Sequence, residues 1–351
     1  MMVTKSKSFI ATPPGATIKE QLRERNLTQK EFAVRMDMSE KHICNLIKGD
    51  VILTPDVAIR LEIVLGIPAK FWNNLEAIYR EKKLKADAEN QMDTDIEIVK
   101  QLAYNEMAKV EWVPKTRNMY EKVVNLRRYF EVVRLDLINS SKVTQIACRR
   151  LSETQKSDYA LTSWAQRAKI VARDIKTQSI DFKKLSYLLP EIRSMTIMEP
   201  SEFCPYLEQK LADCGVALVF LPHIKGSFLH GATFYDGNKI VVGLTVRGKD
   251  ADKFWFSLFH ELAHILLGHL NRKEGTSQED EDAADKFARD ILIPQSDLDK
   301  FVNNNEFSKE SIMNFAKQID IAPGIVVGRL QNEKYIEYSW YHDLKIKYEI
   351  V

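Results

Sequence analysis

His260, Glu261 and His264 stand together in the run WFSLFHELAHILLGH, residues 255–269, as His-Glu-x-x-His within an otherwise apolar stretch. On a helix, positions i and i+4 share a face, so the two imidazoles point at one locus. Two neutral imidazoles about 2 Å from one ion make most of a zinc site, and a carboxylate beside them can take a proton from water held there. Without that role, two histidines and a glutamate in an apolar helix would need other partners to offset their burial. Phe259, Leu262, Ala263, Ile265 and Leu266 around them are all uncharged, as a buried metal-binding helix requires. The spacing predicts zinc as cofactor, His260 and His264 as ligands, and Glu261 as general base.

A third ligand must come from elsewhere. One arrangement places a third His six residues after the second, with a Gly three residues after it. Here Gly268 falls four residues after His264 and His269 five, so that pattern fails. The better candidate lies in EDEDAADKFARDILIP, residues 279–294. Ala284, Phe287, Ala288, Ile291 and Leu292 repeat at helical spacing, which marks the buried face of a helix that Pro294 ends. Glu281, three residues before Ala284, projects from that inward face. Asp285, one turn on, can accept the free N–H of a ligating histidine. Acidic residues at a helix start also compensate its dipole, so Glu281 reads as either ligand or cap.

The run FWFSLFHELAHILLGH followed by EDAADKFARDILIP resembles the ImmA/IrrE family of bacterial metallo-endopeptidases, over about residues 200 to 335. The resemblance implies His260, His264 and Glu281 as metal ligands and Glu261 as general base. Ala283 stands where the family often has a second glutamate, which favours Glu281. Family members act on helix-turn-helix repressors, which draws attention to the other end of the chain.

Residues 17 to 66 read as five short helices. Thr28 and Glu31 form a capping box, Ser39 caps a helix from Glu40 to Ile47, and Gly49 closes it. This is helix-turn-helix spacing, in which the second helix reads the major groove from its first turn. Ile43, Leu46 and Ile47 face inward, leaving Glu40, Lys41, His42 and Asn45, together with Gln29, as candidate DNA contacts. TQKEFAVRM, SEKHICNLIKG and LTPDVAIRLEIVLGIPAKFWNNL resemble the Cro/repressor-type domain of HigA-like antitoxins, from residue 16 to about 80. Residues 1 to 85 carry net charge +5, as expected where phosphates are met.

The overall +2 is segmented: residues 86 to 95 are net −4, residues 96 to 200 net +7, and residues 201 to 351 net −6. We therefore expect a flexible arm at 1–15, a helix-turn-helix domain at 16–85, an acidic linker at 86–95, a basic helical connector at 96–200 and a metallopeptidase-like domain at 201–351. The fold class is mainly α, with a small α+β zincin-like domain carrying a short sheet. Val216 to Leu221 reads as a strand, and Gly231–Tyr235 with Lys239–Val246 as a hairpin around Asp236-Gly237. That hairpin is the expected substrate platform, with His230 and Tyr235 as candidate stabilisers of the tetrahedral intermediate. Phe315-Ala316 to Arg329-Leu330 reads as a helix pair that closes the core.

No run reaches the apolar length of a membrane span, and residues 1–14 lack a signal peptide's apolar stretch. Four cysteines, Cys44, Cys148, Cys204 and Cys214, show no paired metal spacing, so the expectation is reduced thiols in the cytoplasm. Together these readings suggest a DNA-binding regulator fused to a zinc endopeptidase. The expected partners are a double-stranded DNA operator, bound as a homodimer, and a helix-turn-helix repressor as protein substrate, with no membrane. The alternatives are a HigA-like antitoxin or repressor, with a toxin as partner, whose zinc domain only binds a partner or signal, and autoproteolysis.

Overall fold

A computed structural model describes residues 4–6, 8–90, 92–139, 155–225, 230–245, 250–271 and 276–349. The chain divides into two units, residues 1–96 and 97–351.

In the first unit, strands β1 (Thr4–Lys5) and β2 (Ile10–Ala11) precede helices α1 (Gly15–Glu24), α2 (Gln29–Arg35), α3 (Glu40–Lys48), α4 (Pro55–Leu65) and α5 (Ala69–Asn90). Four helices thus occupy the region read as five, and the fifth is a 22-residue helix beyond it. The Thr28–Glu31 capping box forms, the Ser39 side chain accepts from the His42 N–H, and Gly49 ends α3 at φ 83°. Ile18, Phe32, Ile43, Leu61 and Trp72 are fully buried in the core that these helices enclose. Gly15 is required by close approach, because a Cβ there would lie 2.0 Å from the Ile47 carbonyl oxygen.

Two segments carry more structure than expected. The described part of the arm pairs β1 with β2, and the Ser6 and Ser8 hydroxyls both donate to the buried Glu89 carboxylate. The acidic stretch 86–95, expected as a linker, is helical in its described parts, at the end of α5 and the start of α6 (Asp93–Gln101), with Ala86, Glu89 and Asp95 buried. Charge density suggested solvation, but Glu89 supplies the acceptors that this arm needs.

The second unit continues with α7 (Tyr104–Lys109), α8 (Met119–Phe130), α9 (Gln155–Ala172), α10 (Phe182–Ser194) and α11 (Pro200–Ala212). Strands β3 (Val216–Phe220), β4 (Gly231–Asp236) and β5 (Lys239–Leu244) follow, then α12 (Ala251–Leu266), α13 (Gln278–Leu292), α14 (Gln295–Asn303), α15 (Lys309–Gln318) and α16 (Pro323–Asn332). The sheet order is β3-β5-β4, with β3 parallel to β5 and β4 antiparallel to it. Gly237, at φ 64°, makes the β4–β5 turn; Val246, read as the hairpin's end, lies outside the described residues. Valines and isoleucines of β3 and β5 are buried because α9 packs on the sheet, with Trp164 seated where a Cβ on Gly243 would otherwise be.

The core gathers Phe203, Leu207, Val242, Trp255, Phe259, Leu262, Ala288, Phe315, Val326 and Leu330, so α15 and α16 do close it. The C-terminal segment pins the first turns of α12: Ala251 N–H donates to the Ile346 carbonyl, and Trp255 Nε1 to the Tyr348 hydroxyl at 3.1 Å. Among the described residues no helix is long and apolar enough to cross a membrane. Cys44, Cys204 and Cys214 are free thiols, and Cys148 lies outside the described residues.

Candidate metal centre

The apolar face of α12 is buried from Phe254 to Ile265, which fixes the helix rotation and turns His260 and His264 toward α13. Their Nε2 atoms stand 3.0 Å apart. Glu281, from the first turn of α13, places Oε2 3.3 Å from His260 Nε2 and Oε1 3.7 Å from His264 Nε2. One ligand-type atom from each of the three lies within 4.8 Å of the others. The α13 capping box is made by Ser277 and Asp280, not by Glu281. The alternative reading of Glu281 as a cap is therefore filled by its neighbour.

His260 Nδ1 donates to Asp285 Oδ1 at 2.8 Å, which turns its Nε2 toward the locus. His264 Nδ1 meets His269 Nδ1 at 2.9 Å, and His269 Nε2 lies 3.5 Å from Asp280 Oδ1. Sequence reasoning considered His269 only as a ligand and missed this supporting place. Gly268, at φ 75°, ends the helical path and lets His269 fold back onto His264.

Glu261 lies against β4, within electrostatic reach of His260 and Glu281. It accepts a hydrogen bond from the Thr233 hydroxyl, and a Cβ on Gly231 would fall 2.7 Å from both its Cγ and its Oε1. Burial pushes the Glu261 carboxyl up to about 7, against the opposing pull of His260 and Thr233. Burial also depresses His260, but hydrogen bonds to Asp285 and Glu281 and the nearby Glu261 charge outweigh it and lift the imidazole to about 10. His264 is held well below the usual range by burial and by its charged neighbour His260.

Four carboxyl groups, Glu261, Asp280, Glu281 and Asp285, thus surround three imidazoles, all of them largely buried except Asp285. The anionic excess and the converging Nε2 atoms of His260 and His264 fit a divalent cation such as zinc, which would take the place of the proton that the carboxylates otherwise hold on His260. Of the other candidates, His230 is exposed near the start of β4, and Tyr235 packs partly buried on the core.

In the first unit Gln29, Glu40 and Lys41 are exposed, whereas Asn45 is half-buried. His42, expected on the outer face, is half-buried too, and its Nε2 is buried without a hydrogen-bond partner. It sits between the outer face and the buried stripe of Ile43, Leu46 and Ile47.

Residues 18–72 match the family described as helix-turn-helix, and residues 229–322 match the IrrE N-terminal-like domain family. Over 63 residues the chain is 38% identical to the uncharacterized HTH-type transcriptional regulator YddM of Escherichia coli (strain K12), a stretch that is 18% of this chain and 67% of that relative.

Proposed function

Since the chain belongs to the helix-turn-helix transcriptional regulators through its amino-terminal domain and carries an IrrE-like domain behind it, we propose a DNA-binding regulator with a zinc-dependent endopeptidase. The observation that carries the enzymatic half is Glu261, buried beside the converging His260, His264 and Glu281 and held from β4.

His260, His264 and Glu281 would hold the ion. When bound, zinc polarises a scissile carbonyl and acidifies water beside it. Glu261 takes the proton of the attacking water and delivers it to the leaving amine, a role suited to a carboxyl raised to about 7. Thr233 fixes the orientation of that carboxyl. Asp285 sets the His260 tautomer, and His269 with Asp280 does the same for His264. β4 is one of the two outer strands of its sheet among the described residues, and the one beside Glu261, so a peptide can add to it through main-chain hydrogen bonds independent of sequence.

The substrate class that this arrangement favours is an extended segment of a repressor-like protein brought close by shared DNA. Tethering the protease to a DNA reader raises the local concentration of operator-bound proteins, to around the millimolar range for short spans. The test incubates purified chain and zinc with candidate helix-turn-helix repressors, beside the Glu261→Gln form. Cleavage by the parent only, with zinc content and DNA binding equal in both, is the expected result. Zinc and DNA binding without any cleavage would leave a regulator whose metal domain binds but does not hydrolyse.

A further inference from the structure

A cavity of about 640 Å³ opens between α12, α13, α16 and the C-terminal segment. It borders the candidate metal centre, since Asp285 contributes to its wall and to the His260 hydrogen bond. His230 and Asp285 reach its edge from the candidate centre, but the hydrolytic reading assigns no role to the rest of this space. Its volume falls within the ordinary range of small-molecule sites.

The wall is charged in an uneven way. Arg289, Arg329, Lys253 and Lys345 border the cavity, against Asp252 and Asp285. Asp252 Oδ2 pairs with Lys345 at 2.9 Å, while its buried Oδ1 has no hydrogen-bond partner. Asp285 pairs with His260 at 2.8 Å and Lys253 is matched by Asp250 at 2.7 Å, so the cationic excess rests on Arg289 and Arg329. Arg329 is nine-tenths buried. Its Nη2 donates to Gln295 Oε1 at 2.9 Å and its Nε forms an ion pair with Glu333 Oε1 at 2.5 Å. Nε and Nη1 are both buried without a hydrogen bond, so an anion in the cavity meets Nη1 only after the guanidinium shifts. A buried guanidinium N–H without an acceptor is costly, so its retention asks for a reason.

Arg289 adds to that cost. It lies close enough to oppose the charge on Arg329, and both line the same void. Like charges beside a common cavity repel, and an anion between them reverses the sign of that interaction. Guanidinium groups match carboxylate and phosphate oxygens in geometry as well as charge. Opposite them, Phe256, Leu292 and Ile325 provide apolar wall for a hydrocarbon body.

We propose that this cavity binds a small organic anion, a carboxylate or phosphate on an apolar body, with Arg329 and Arg289 holding the charged end. The assignment is independent of whether the neighbouring centre turns over.

The test is isothermal titration of the full-length zinc-supplemented chain with 3-phenylpropionate, octanoate and phenyl phosphate. Each is paired with a neutral counterpart: 3-phenylpropanamide, octanamide or benzyl alcohol. At least one anion is expected to bind roughly tenfold or more tightly than its neutral partner, the scale of a charge-assisted hydrogen bond. The carboxylate and phosphate arms decide which head group is preferred. Arg329→Gln and the more accessible Arg289→Gln should each weaken binding by a similar factor. Thermal melting identifies any variant that fails to fold, and Arg289→Gln then carries the test. No anion exceeding its neutral counterpart overturns the proposal. So does an anion that binds both folded variants as well as the parent, because it then sits elsewhere, the metal included.

Discussion

Replacing Gly231 by alanine adds one methyl group against the side chain that the proposed chemistry needs most. The new Cβ would meet Glu261 Cγ and Oε1 at 2.7 Å and Cδ at 3.0 Å, where ordinary carbon contacts are about 3.5 to 4 Å. Glu261 must therefore retreat by about an ångström. Its room is small: it is 7% exposed, holds Thr233, and stands on a helix whose other face is core. Overpacking of this kind costs about 1 to 3 kcal/mol. A misplacement of about 1 Å at a catalytic group costs about 100-fold in rate. The histidines and Glu281 come from α12 and α13 and stay in place, so the two effects separate from metal binding. Denaturant unfolding should show the stability loss, metal analysis unchanged zinc, and repressor cleavage a loss of about two orders of magnitude. Unfolding within about 0.5 kcal/mol of the parent together with undiminished cleavage would refute the claim that Gly231 and β4 hold Glu261 in place.

The metal centre predicts one zinc per chain, lost in His260→Ala, His264→Ala and Glu281→Ala and retained in Glu261→Gln, read by metal analysis after dialysis. Asp285→Ala and His269→Ala should weaken zinc affinity about 10- to 100-fold without abolishing it, as measured by chelator competition. Gly15→Ala should destabilise the first unit by about 3 kcal/mol or more, because its Cβ meets the Ile47 backbone and not a movable side chain; thermal melting followed by circular dichroism checks this. In the proposed DNA interface, Lys41→Ala and Asn45→Ala should each cost about 1 to 3 kcal/mol and relax base preference at one position per half-site. Fluorescence anisotropy on a selected operator and its single-base variants reads both effects.

Local pattern settled much of this chain. The i, i+4 histidines had to share a helix face, and the spacing from Ala284 to Leu292 had to turn one side of α13 inward, because helix geometry allows nothing else. Thr28, Ser39 and Gly49 marked the helix-turn-helix boundaries by satisfying backbone groups within three or four residues of themselves. Glu281 was narrowed to two roles but not decided, since a ligand and a cap occupy the same turn.

Tertiary structure decided what local rules could not reach. Asp280 took the cap, which left the Glu281 carboxylate against both histidines. Gly231 and Thr233, about 30 residues upstream of Glu261, became its walls only when β4 packed beside α12. His269 acquired its place when the left-handed Gly268 broke the helix, a turn that periodicity does not foresee. The burial of Glu89 within the acidic run 86–95 was not legible because composition reports solvation on average, whereas the hydroxyls of Ser6 and Ser8 needed that carboxylate at one point in space. The cavity beneath Arg329 is likewise a property of three helices and a tail meeting, and no single segment of sequence carries its signature. Short-range hydrogen bonding and helix periodicity are written along the chain; packing between distant segments is not, because it depends on which faces remain to be covered.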